Sequence, residues 1–178
     1  MWNLWHLPKR GLLRILCGYT NLCRKTEVAL ASYNVEYEDT SADDFAYWRA
    51  IESRWGTDDL IAIEQDIVVH AMVIAEFAEC EQPWCSFPYS IGFRKPYEYG
   101  LGCTRFRKGM MQEIATGEIL DSIPCDGQPG CWQTLDIKIR YALWNQGYNV
   151  HVHQPTVNHL VNEKGEKGCL SLPELTLK

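Results

Sequence analysis

The chain has 178 residues with 46% hydrophobic and 22% charged side chains. One compact domain is the expectation at that length, and disorder, collagen-like repeats and low-complexity architecture are excluded. The charge sum of 17 − 23 = −6 excludes wholesale coating of a polyanion, so any nucleic-acid contact has to be local. Ten carboxylates fall between Glu36 and Asp66 against Arg49 and Arg54, whereas Arg94, Lys95, Arg105, Arg107 and Lys108 face only Glu98. The basic stretch is therefore either a local anion patch or simply uneven surface charge.

In chain order, Leu12 to Cys17 is an apolar run ending at Gly18, which predicts a buried strand and a turn. A helix is predicted through Thr26 to Ser32, and a second strand over Val35 to Tyr37. Ser41 offers an N-cap with Asp43 and Asp44 in the first turn, ahead of Phe45, Trp48 and Ile51, for a helix ending near Gly56. Leu60 to Ile63 runs into Glu64-Gln65-Asp66 and then Ile67 to Val69, a strand interrupted by charge. A short helix is predicted over Ala71 to Cys80, strands over Trp84 to Tyr89 and Leu101 to Phe106, a loop over Asp121 to Gly130, a helix over Trp132 to Gln146 closed by Gly147, and a strand over Tyr148 to His153. This alternation predicts an α/β fold with a mostly parallel mixed sheet flanked by helices.

The cysteines at 17, 23, 80, 85, 103, 125, 131 and 169 have no zinc-knuckle or redox-dithiol spacing. Reduced thiols in a cytoplasmic protein are expected. The N-terminus lacks the order of a secretory signal, and no apolar stretch approaches the ~18 residues of a membrane span.

Four constellations bear chemistry. Glu64 and Asp66 stand one residue apart where an apolar strand meets its turn; i and i+2 share a strand face, so both can meet one divalent ion, or both can face solvent. His151 and His153 are a possible metal pair or an ordinary half-exposed strand, while His159 is the better third ligand for the two acids. Asp136 sits near a helix start, where the dipole alone favours an acid. Its functional alternative is a proton acceptor beside Trp132, which is itself either a platform or a core anchor. Gly100 to Lys108 (GLGCTRFRK) lets backbone approach a ligand and places arginines after it, without matching a Walker or dinucleotide fingerprint.

The order of these signals resembles the glycosyltransferases of the GT-A fold. Leu60 to Val69 (LIAIEQDIVV) looks like the family's D-x-D-type motif, with Glu64 replacing the usual first aspartate. Gly100 to Lys108 is similar to the small-residue segment that ends in F-R-R. Trp132 to His159 looks like the closing block, through Asp136, Gly147, Tyr148, Pro155 and His159, although Asp136 to Gly147 is slightly longer than the family's interval. With Trp-Cys-x-x-Pro-Tyr (84–89) and Gly-Cys-Thr-Arg-Phe (102–106), this small chain resembles the compact glycosyltransferases of bacterial viruses, some of which modify hydroxymethylated DNA pyrimidines.

The resemblance implies a single domain over 1–178, with a nucleotide-sugar half at 12–90, an acceptor half at 91–160 and a tail at 161–178. It implies Glu64, Asp66 and His159 as ligands of Mn²⁺ or Mg²⁺ and Asp136 as catalytic base. Gly18, Tyr19, Glu64, Gly102 and Arg105 would meet a nucleotide-sugar donor, a UDP-sugar first, and Trp132 and Arg107 the acceptor. The implied reaction is an inverting transfer, with hydroxymethylated DNA in the host cytoplasm as one acceptor. Two other classes fit the same residues: a non-catalytic α/β binding module, and a metal-dependent phosphoester hydrolase.

Overall fold

The computed structural model describes residues 12–42, 45–90, 100–115 and 135–160. The sequence expectations at Asp43, Asp44, Arg94, Lys95, Glu98, Cys125, Cys131, Trp132 and Cys169, the loop 121–130 and the tail 161–178 lie outside these residues. The first half alternates β1 (Leu13–Tyr19), α1 (Arg24–Leu30), β2 (Val35–Asp39), α2 (Ala46–Glu52) and β3 (Asp59–Glu64). Ile15 to Gly18 in β1 and Leu60 to Ile63 in β3 are all buried. Such uninterrupted apolar runs belong to strands covered on both faces. β1 runs parallel to β2 on one side and to β3 on the other, with Gly18 paired to Glu38 and to Glu64.

The helix expected from Ser41 begins later. The Ser41 backbone N–H donates to Asp39 Oδ1 at 2.9 Å, an Asx turn that ends β2 instead of starting a helix. Phe45 takes the N-cap position of α2 without a side-chain cap. Beyond α2 the chain turns at Gly56, whose φ of 71° is left-handed and favours glycine.

The strand expected to continue through the acids is divided. β3 stops at Glu64, and β4 (Ile67–Val68) leaves for a two-stranded antiparallel sheet with β8 (Asn158–His159). Between them lie α3 (Val73–Glu79), β5 (Trp84–Ser86), β6 (Cys103–Phe106), α4 (Lys108–Glu113), α5 (Leu135–Asn145) and β7 (His151–Val152). The main sheet has six strands in the order β2-β1-β3-β6-β5-β7. β5 and β7 run parallel, and β6 opposes both β3 and β5. After α5 the chain turns at Gly147, with φ of 87°.

Alternation along the strands sends Leu16, Leu60, Ala62 and Phe106 to one face, against Trp48 and Ile51 of α2, Met110 and Met111 of α4, and Ile139 and Leu143 of α5. Ile15, Cys17, Ile61, Ile63 and Cys103 go to the other, against Leu30 of α1 and Val73, Ile74 and Phe77 of α3. The result is helices on both faces of one sheet. Among the described residues no helix is long and apolar enough to cross a membrane, and Cys17, Cys23, Cys80, Cys85 and Cys103 are free thiols.

One polar pair is sealed inside the first face. Trp84 Nε1–H donates to Thr104 Oγ1 at 3.0 Å, and that hydroxyl donates to Cys85 O at 3.1 Å. Thr104→Val preserves shape but orphans the buried indole N–H. It is expected to lower stability by about 1–3 kcal/mol, read from urea unfolding with an unchanged m value; an unshifted midpoint would show that the pair contributes nothing.

Candidate metal centre and surrounding site

The chain leaves β1 towards β2 and returns on the opposite side as β3. The carboxyl ends of β1 and β3 therefore form a topological switch point, the position where open α/β sheets bind ligands. Gly18 and Glu64 face each other there. Gln65 clamps the turn to the segment after β1: its Oε1 accepts from Thr20 N at 2.6 Å, Asn21 N at 2.7 Å and Thr20 Oγ1 at 3.2 Å. Its carbonyl also accepts from Cys23 N at 3.2 Å.

Past Gln65, Asp66 is fully buried. Leu160 N donates to Asp66 O at 2.8 Å, and the β4–β8 ladder pairs Ile67 with His159. This register returns the far end of the chain to the acidic turn. One ligating atom each of Glu64, Asp66 and His159 lies within 4.8 Å of the others, with His159 Nε2 3.3 Å from Asp66 Oδ2. The carboxylates converge because the backbone turns at Gln65, not because they share a strand face.

Among the described residues neither oxygen of Asp66 has a hydrogen-bond partner, nor does His159 Nδ1. A buried carboxylate left without donors is costly unless a cation compensates it. Two carboxylates and an imidazole suit Mn²⁺ or Mg²⁺, so the residues present fit the metal that the GT-A resemblance implies.

A second set of contacts joins this centre to Asp136. Asp136, in the first turn of α5, accepts from Leu101 N at 2.8 Å through Oδ1. Tyr47 donates its hydroxyl to Leu101 O at 3.2 Å, Tyr89 OH accepts from Gly102 N at 3.3 Å, and Gly102 O accepts from Glu64 N at 3.0 Å. The Leu101–Gly102 dipeptide is thus the hub between acid, phenols and metal cluster. Burial pushes the Asp136 carboxyl up to about 6 against the opposing bond from Leu101 N–H. Burial first, then the Glu64 carboxylate, holds both phenols well above their ordinary range, and Asp136 acts on both in the same direction.

The two glycines make room for those rings. A Cβ on Gly18 would stand 2.4 Å from Tyr47 Cδ2, and one on Gly102 would stand 2.8 Å from Tyr89 Cζ. Tyr47, Tyr89 and Gln65 were not singled out from the sequence. Tyr89 closes the Trp-Cys-x-x-Pro-Tyr run, which was its available signal; nothing in the sequence distinguishes Tyr47 from a core aromatic.

Other expected site residues do not meet this cluster. β6 opposes β3, so the step from Gly102 to Arg105 runs away from Glu64 and leaves Arg105 opposite Ile61. Arg105 is fully buried, donates to Gln82 O at 2.5 Å and lies 3.7 Å from Asp59. Arg107 donates to Cys80 O and lies 3.9 Å from the same carboxylate. Both arginines therefore serve the opposite end of β3. Tyr19 ends β1 half-buried, its carbonyl accepting from Thr40 N at 2.7 Å. His151 is exposed, and His153 stacks on Phe87 with ring centroids 4.7 Å apart; neither belongs to the Glu64–Asp66–His159 cluster. A cavity of about 290 Å³ between β5 and α5 is lined by Trp84, Tyr141, Trp144 and Tyr148 among others, and by none of the acids.

No protein-family profile matches the chain, and no curated protein matches it. Solved structures do. The chain is similar to the crystal structure of A197 from STIV, with 16% identity, 84% of this chain and 87% of that chain covered, and a TM-score of 0.53. It is also similar to the crystal structure of a glycosyltransferase involved in the glycosylation of the major capsid of PBCV-1, with 16% identity, coverage of 83% and 92%, and a TM-score of 0.52. At such identity the likeness is one of fold alone, a mixed α/β arrangement that the chain shares with both structures.

Proposed function

We propose that this chain is a metal-dependent glycosyltransferase that moves a sugar from a nucleotide-sugar donor to an acceptor hydroxyl with inversion. The observation that carries the reading is buried Asp66, without a hydrogen-bond partner at either oxygen, meeting Glu64 and His159 at the β1/β3 switch point. Glu64, Asp66 and His159 would hold Mn²⁺ or Mg²⁺, which neutralises charge developing on the diphosphate as the nucleotide leaves.

The chain's own groups supply the rest. Tyr19 and the Gln65-bound segment through Asn21 would receive the donor nucleotide, UDP first, beside Gly18 and Gly102, whose Cβ positions are filled by the rings of Tyr47 and Tyr89. Asp136 would take the proton from the acceptor hydroxyl as it attacks the anomeric carbon opposite the departing diphosphate. A carboxyl titrating at about 6 is ionised near neutral pH yet more basic than an ordinary aspartate, as a general base requires. The acceptor carried forward is the 5-hydroxymethylpyrimidine of phage DNA. Buried Arg105 offers such a polyanion nothing, so a protein hydroxyl is the comparison acceptor, following the structural neighbour that acts in glycosylation of a viral capsid.

Asp66→Asn keeps the side chain's shape and removes its charge. Manganese-dependent release of nucleotide, screened across UDP-, GDP-, CDP- and TDP-sugars, is expected to fall at least about a hundredfold, the scale of losing one electrostatic stabiliser. The circular dichroism spectrum should be unchanged. Equal turnover in this variant would sink the metal assignment. Cleavage of a phosphoester without any sugar donor would assign the cluster to hydrolysis, and metal binding with no turnover of either kind would leave a binding module.

Asp136 gives a pH-dependent outcome. The folded carboxyl keeps its proton up to about 6, whereas an unfolded aspartate releases it near pH ~3.9. The folded state binds more protons in that window, so the contribution of Asp136 to stability falls as pH rises through it. Asp136→Asn, which can still accept from Leu101 N–H, should remove that slope, raise the melting temperature near neutral pH and abolish transfer. Identical melting profiles for the two proteins would remove Asp136 from the role of perturbed base.

A further inference from the structure

The sulfur-bearing end of the sheet holds a second donor set, distinct from the acidic one in both place and chemistry. α3 ends at Glu79, and Cys80 leaves the helix with φ of −59° and ψ of 127°. Its side chain is in hydrogen-bonding contact with Cys85 of β5. The parallel ladder pairing Cys85 with His151 continues past β7, where His153 N donates to Ser86 O at 2.9 Å. That bond delivers the His153 imidazole to the two sulfurs: one ligating atom each of Cys80, Cys85 and His153 lies within 4.8 Å of the others.

Each ligand already has the support that a metal site requires. His153 Nδ1 lies 3.6 Å from Glu76 Oε2, while its Nε2 is buried without a hydrogen-bond partner. On closing to hydrogen-bond distance, that carboxylate would favour the tautomer that offers the other ring nitrogen to a metal. Burial pushes the Cys85 thiol up to about 12, against the opposing bonds that Arg105 donates from Nε and Nη2 to its Sγ, each at 3.3 Å. Cys80 is only partly buried, so an ion can enter from its side.

We propose that Cys80, Cys85 and His153 bind a zinc ion that ties the end of α3 to β5 and β7, with water completing a tetrahedral shell. Two thiolates and an imidazole are a zinc set, softer than the oxygen-rich cluster at Asp66. On binding, the two thiol protons pass to solvent and the dication replaces them. The site does not depend on the transferase reading and survives its failure.

Cobalt(II) serves as the probe, because only thiolate ligands give a sulfur-to-cobalt charge-transfer band in the near ultraviolet. The full chain carrying Asp66→Asn, reduced with a phosphine, is titrated with Co²⁺ and then with Zn²⁺. A saturable band that zinc displaces is expected, together with a rise in melting temperature on adding zinc. Cys80→Ser, at the partly exposed position, should abolish the band. Glu76→Gln should weaken cobalt affinity about tenfold to a hundredfold while leaving the band's shape intact. Absence of the band in the reduced parent, or its persistence in Cys80→Ser, overturns the proposal whether or not variants at buried Cys85 fold.

Discussion

Everything proposed for the acidic site depends on how β3 ends. Its last residue, Glu64, lies between Gly18 on β1 and the backbone of Gly102 ahead of β6. Neither neighbour has a side chain, and the space where a Cβ would stand is taken by the rings of Tyr47 and Tyr89. The same two glycines therefore set how closely the strand ends approach and where the phenols sit. Those phenols in turn hold Leu101 and Gly102 in place, and the adjoining amide of Leu101 fixes Asp136. Asp136 of α5, 35 positions beyond Leu101 in the chain, is thereby registered against the end of a central strand through hydrogen bonds to backbone.

The sheet separates its charges by end. At the carboxyl end of β3 stand Glu64 and, past the turn, Asp66. At its amino end Asp59 faces Arg105 and Arg107 and accepts from Lys108 N at 2.8 Å. A buried guanidinium needs counter-charge as much as a buried carboxylate does; Arg105 obtains it from Asp59, from the Gln82 carbonyl and from the Cys85 sulfur. Among the described residues Asp66 has His159 as its one ion-pair partner. Both side chains are fully buried: Arg105 donates through Nε and Nη2, whereas among the described residues Asp66 accepts no hydrogen bond at either oxygen and clusters with Glu64 and His159.

Much of the fold was legible because hydrophobic runs and glycine stops are local signals. β1, α1, β2, α3, β5, β6 and α5 all fall within or beside their predicted spans. α4 leaves little trace in the sequence: Lys108 to Glu113 is a short helix with Gly109 in its first turn, and Met110 and Met111 are buried against the sheet. Ser41 misled because Asp39 captures its amide, a competition between neighbours that composition does not resolve. Arg105 and Arg107 misled for a different reason. Proximity to Gly102 along the chain suggested proximity in space, but an antiparallel strand carries each successive residue about 3.4 Å further away. Residue chemistry nominates His159 as a third ligand for Glu64 and Asp66, but the physical cause of their meeting, the pairing of β4 with β8, joins residues far apart in the chain and leaves no local trace.

The glutamate at position 64 follows from the same geometry. In an unbroken strand two aspartates at i and i+2 would project in parallel from one face with equal reach. Here the strand stops between them, and Gln65 is drawn aside to serve Thr20 and Asn21. Asp66 then approaches from within the core, fully buried, while Glu64 approaches from the half-buried rim. The additional methylene of Glu64 extends its reach from that rim, and the ligating atoms of Glu64, Asp66 and His159 all lie within 4.8 Å of one another.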